Sequence, residues 1–201
     1  MRNILIIFTL LFCSTAFGQQ YILEQVSSDY VAKFEKKFES TLEEQDESFS
    51  VMLSPQLYPM VAEKNLGKPY SYERKLSDFR VPAICEYYFD KSGDTLWYTM
   101  ISWRATNGVS IFDFAAKNQR LIEEISHKDE YIAFFKKLND QISVDYGTPN
   151  KRTDKLVNVG ENTIGEKVTW ETDKIKIVSE IQMPKESEKE FLRVSLMTYW
   201  K

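Results

Sequence analysis

Histidine and cysteine are nearly missing from this chain. Its 201 residues include one His and two Cys, too few for a His/Cys metal cage, so neither a metal nor a cofactor is expected. Glycine and proline are scarce, at 7 and 6, which excludes a collagen-like or low-complexity chain. Excess positive charge is lacking too. With 26 Lys+Arg against 30 Asp+Glu and a net charge of −4, a nucleic-acid partner held by phosphate neutralisation is not expected. Catalytic motifs are also missing. There is no Gly-rich phosphate loop, no Gly-X-Ser-X-Gly elbow and no His-Glu-X-X-His. Aromatic residues, by contrast, make up 14% of the chain, far more than a disordered sequence carries.

The most specific feature present is the N-terminus. Arg2 and Asn3 precede an apolar run from Ile4 to Cys13, and Ala16-Phe17-Gly18 follows. Small residues three and one before the cut suit a signal peptidase, so cleavage is expected after Gly18. The apolar run is well short of the roughly 20 residues that span a bilayer. No transmembrane segment is expected after cleavage. A lipidated Cys13 is not expected, because bulky Phe12 precedes it. Removing residues 1–18 takes Arg2 and Cys13 with it, leaving Cys85 as the only thiol. Cys85 lies in an apolar strand pattern and reads as a buried, inert thiol. The localisation expected is periplasmic or secreted.

Helix and strand periods alternate along the mature chain. Ser27-Ser28-Asp29 offers an N-cap to a helix carrying Tyr30, Val31, Phe34, Phe38 and Leu42. This helix and the acidic run after it make up residues 19–50. Residues 51–201 read as a single compact α+β domain. Its first helix starts near Pro59 and stops at Gly67-Lys68-Pro69, since Gly tolerates a left-handed backbone and Pro cannot continue the ladder. A three-stranded meander follows: Ala83 to Phe89, Thr95 to Arg104 and, after Asn107-Gly108, Val109 to Phe114. Lys117 to Ile125 reads as a helix. Ser126 then reads as the N-cap, with Asp129 in the capping-box position, of a helix bearing Tyr131, Phe134, Phe135, Leu138 and Ile142. Three alternating runs close the chain, around Val168 and Trp170, from Ile175 to Met183, and from Leu192 to Trp200.

The expected fold class is therefore α+β, with helices packed on antiparallel β-meanders. Residues 51–125 and 126–201 share a layout of helix, Gly-X-Pro and three strands, which admits a duplicated unit. Gly-X-Pro is common punctuation, and two unrelated helix-then-meander units are the preferred explanation. The order of elements from about Val51 to Lys201 resembles the duplicated helix-plus-sheet layout of the β-lactamase-inhibitor-protein-like group. That resemblance is one of architecture, carried by no diagnostic residue. It implies an exported binding module rather than a catalyst.

Candidate functional residues come from the meander. Pairing Asp90 with Thr95 across the turn sets Tyr88 opposite Trp97 and Glu86 opposite Thr99. One face then carries Tyr88, Trp97 and Trp103 around Glu86 and Thr99, while Cys85, Tyr87, Tyr98 and Met100 share the other. Both faces are apolar enough to be covered. The sharper alternative is an aromatic-walled ligand groove in which Glu86 is a polar anchor with a raised pKa. His127, next to Lys128, reads as a surface residue. Lys64, Lys68, Arg74, Lys75 and Arg80, interleaved with Tyr70 and Tyr72, read as a solvated loop. The function expected is a non-catalytic binding or envelope-interaction module whose partner is an unidentified protein or envelope component. The alternative is a small carboxylate-dependent hydrolase.

Overall fold

The computed structural model describes residues 21–43, 64, 66–75, 79–110, 112–153, 163–184 and 192–201. The expected signal peptide and the helix expected from Pro59 lie outside the described residues, and so does Ile111. Among the described residues, three helices pack on one eight-stranded antiparallel sheet, an α+β fold. The helices are α1 (Ser28–Lys36), α2 (Phe114–Ile125) and α3 (Lys128–Tyr146). The strands are β1 (Thr41–Leu42), β2 (Tyr70–Arg74), β3 (Ala83–Phe89), β4 (Leu96–Arg104), β5 (Lys151–Thr153), β6 (Thr163–Glu171), β7 (Ile175–Pro184) and β8 (Arg193–Trp200).

The strand order is β1-β2-β3-β4-β8-β7-β6-β5. Two meanders thus run inward from opposite edges and meet where β4 pairs with β8. The layout is the same outward from that seam on either side. Both edge strands are short, two and three residues, which leaves little unpaired backbone to template aggregation.

Local chemistry explains most of the elements. The Ser27 hydroxyl accepts from the Tyr30 amide and caps α1. The Asp113 carboxylate does the same for α2 through the Ala116 amide at 2.9 Å. In the β3–β4 turn, Asp90 accepts from Ser92 Oγ and the amides of Asp94 and Thr95, while Gly93 supplies a φ of +80°. The α3 stripe expected from its spacing, Tyr131, Phe134, Phe135, Leu138 and Ile142, is buried throughout. It packs over β7 and β8, and each such side chain contributes about 1.5–3 kcal/mol by leaving water.

Several expectations are corrected. The described residues of Val109 to Phe114 form no strand, and Asn107-Gly108 does not close a hairpin. Asn107 Nδ2 instead donates to the carbonyls of Pro82 (2.9 Å) and Ser102 (2.8 Å), fixing a turn that leads into α2. The partner of β4 on that side is β8. Ser126 ends α2 and donates its hydroxyl to the Glu123 carbonyl. His127 occupies the α3 N-cap without a side-chain capping hydrogen bond, so the expected capping box does not form. α1 stops at Lys36, and Leu42 belongs to β1.

The basic stretch is not a uniformly solvated loop. Tyr70 to Arg74 is β2, and Arg74 is 1% exposed in an ion pair with Glu35 of α1. Arg74 Nε donates to Glu35 Oε2 at 3.1 Å, its other arm donates to the Tyr87 hydroxyl at 3.2 Å, and Tyr87 in turn donates to Glu35. Arg80 binds the buried Glu124 at 2.7 Å, which also accepts from the Tyr131 hydroxyl at 3.0 Å. Both arginines therefore anchor helices.

Candidate functional site

The β3–β4 register decides what the two faces of the sheet present. Glu86 pairs with Met100, Tyr87 with Thr99, and Tyr88 with Tyr98. This is one residue from the expected register, because the ladder shifts between Tyr88 and Phe89. A one-residue slip moves side chains between faces, so the expected aromatic face is divided. Thr99 and Trp103 turn toward the helices, 3% and 1% exposed. Trp103 meets Phe134 and Tyr21 edge-on, with ring centroids 4.8 and 6.4 Å away. Trp97 packs against the same core, and Lys64 Nζ lies 4.0 Å from its ring centroid. Glu86 and Tyr88 stay together on the opposite face, which no described helix covers.

That face, free of helices among the described residues, has its own composition. Tyr88, Tyr98 and Tyr199 form a row, with successive ring centroids 5.1 and 4.8 Å apart. The row is buried, and Leu66 packs against it. It is therefore a closed end of the face rather than an exposed aromatic groove. Away from it the face becomes polar. Across the β4–β8 seam, like faces like at every second position: Tyr98 with Tyr199, Met100 with Met197, Ser102 with Ser195, and Arg104 with Arg193. Glu86 lies beside Met100 on β3, and Glu180 lies beside Ser195 on β7.

No family model, curated protein or solved structure matches this chain. Its chemistry has to be taken from the face itself. Burial pushes the Glu86 carboxyl up to about 7, with the Glu43 charge adding to the rise. The Arg104 charge and a hydrogen bond from Tyr88 oppose it. Arg193 approaches Glu180 only to 3.8 Å, and Gln182 Nε2 donates to the same carboxylate. Arg193 Nε and Ser195 Oγ are buried without a hydrogen-bond partner. Arg104 is exposed and forms no salt bridge among the described residues.

Other titratable groups play structural parts. Burial drives the Cys85 thiol up to about 12, so it is inert at neutral pH. His127 is exposed, with Nδ1 2.8 Å from Glu130 Oε1. Among the described residues no group of His, Cys, Asp and Glu could hold a metal, and no helix is long and apolar enough to cross a membrane. Arg104, Arg193 and Ser195 escaped the sequence reading. Their alternation was visible in each strand, but nothing local pairs two segments so far apart in the chain.

Proposed function

We propose that this protein is an exported, non-catalytic binding module of the periplasm or cell exterior, engaging an envelope component through the helix-free face of its sheet. The observation that carries this reading is the setting of Glu86. A carboxyl raised to about 7 sits among Tyr88, Met100 and Arg104, on the face that no described helix covers. Such a group can anchor a partner by donating or accepting a hydrogen bond near neutrality. Acid–base hydrolysis by carboxylates needs a second tuned carboxyl across the substrate. Asp90, Glu130 and Glu171, by contrast, are lowered. The leader-like segment ending at Gly18 supports export.

Site-specific photo-crosslinking in cells tests both parts. A crosslinker replacing Ile84, half-buried on the helix-free face, should capture an envelope component. One replacing Val144, 84% exposed on α3, should not. Mass spectrometry of the recovered protein should find Gln19 as the first residue. Equal capture from both positions, or a cytoplasmic protein retaining Met1, would overturn the reading.

A further inference from the structure

The seam between β4 and β8 places two guanidinium groups where a sheet ordinarily avoids them. Arg104 and Arg193 are directly opposite cross-strand neighbours, an arrangement that is destabilising for like charges. Among the described residues nothing in contact on the face neutralises the pair fully, and Glu86 acts on Arg104 through its charge alone. Glu180 lies 3.8 Å from Arg193, beyond hydrogen-bond distance, and is shared with Gln182. Arg104 has no acidic partner in contact among the described residues. One step along the stripe, Ser195 is 2% exposed, yet its hydroxyl has no hydrogen-bond partner. The buried Arg193 Nε is unsatisfied as well. Buried donors left unpaired are costly, and each calls for an explanation. Two forks, a free hydroxyl and an unsatisfied N–H on one face together make a receptor for an oxyanion.

The neighbours narrow its class. Beyond the serine pair lie Met100 and Met197, with Ile84 beside Ser102, all half-buried. Methionine adapts to flexible apolar groups. The buried tyrosine row closes the stripe behind them. From the arginine pair to the methionine pair is four residues, about 13 Å of strand. We propose that this stripe binds a medium-chain aliphatic carboxylate, its head group between Arg104 and Arg193 and its chain over Ile84, Met100 and Met197. The planar fork of arginine matches a carboxylate with two parallel hydrogen bonds. This rests on the helix-free face being the binding surface, and names what that surface takes.

Calorimetric titration of the mature protein with decanoate and with 1-decanol tests it. Decanoate should bind at least about tenfold more tightly than the alcohol, since charge-assisted hydrogen bonds form only with the acid. Arg104→Gln should weaken decanoate about tenfold or more and leave 1-decanol unchanged. Arg193→Gln, checked for folding by circular dichroism, should do the same. Failure of decanoate to bind, equal affinity for acid and alcohol, or full affinity in both variants would overturn the proposal. Capture from the Ile84 position without decanoate binding would remove this ligand class and leave the binding-module reading standing.

Discussion

Glu86 shows how a single side chain depends on its surroundings. Burial outweighs the nearby Arg104 charge, so the folded carboxyl titrates at about 7 against an ordinary 4.5. A carboxyl raised by folding binds its proton more tightly in the native state. Its charged form therefore costs stability, with no cost below about pH 4.5 and the full cost above about pH 7. Glu86→Gln should accordingly stabilise the protein by about 3 kcal/mol more at pH 8 than at pH 4, measured by urea denaturation at both values. A difference near zero would place Glu86 in open solvent. Glu35 is buried in a different setting. It is fully buried but held by Arg74, Tyr87 and Ser40, so its charge is compensated where it stands.

At the scale of elements, helix starts follow from capping chemistry, and one of them can be tested directly. Asp113 accepts from the Ala116 amide at 2.9 Å, outside the apolar core. Asp113→Ala should cost about 1 kcal/mol, read from the urea midpoint with an unchanged slope. A loss of several kcal/mol would mean that Asp113 holds more than its own helix. The amphipathic α3 and strands β3, β4 and β7 were legible, because a period of 3.6 or 2 is written in neighbouring residues. The short edge strands β1 and β5 were not. Two or three residues carry too little alternation to register as a pattern. Asn107-Gly108 misled for a related reason. Its turn chemistry is local, whereas the partner that uses Asn107 is Pro82, 25 positions earlier.

The whole molecule is organised by the β4–β8 seam. Seven residue pairs from Tyr98–Tyr199 to Arg104–Arg193 join the two meanders. One hydrophobic cluster runs from Tyr21 and Val31 through Trp103 and Phe134 to Trp170 and Trp200. Neither meander keeps its inner edge or its core without the other. Urea unfolding should therefore be one transition, with far-ultraviolet circular dichroism and tryptophan fluorescence superimposing. Two separated midpoints would show that the halves are stable on their own. The seam also assembles the binding stripe, since half of each like pair comes from either meander.

By itself the sequence determined the α+β class, the inert Cys85 and the helical stripe of α3. Each follows from neighbouring residues or composition, which need no knowledge of distant contacts. Only the tertiary structure decided which side chains share a face. A ladder shift at Tyr88/Phe89 parted Glu86 and Tyr88 from Trp103 and Thr99. Arg74 found Glu35 39 positions away and left solvent. Above all, the pairing of β4 with β8 set Arg104 against Arg193. Strand pairing is a non-local choice, made by closing the sheet over one core, and no local period encodes it.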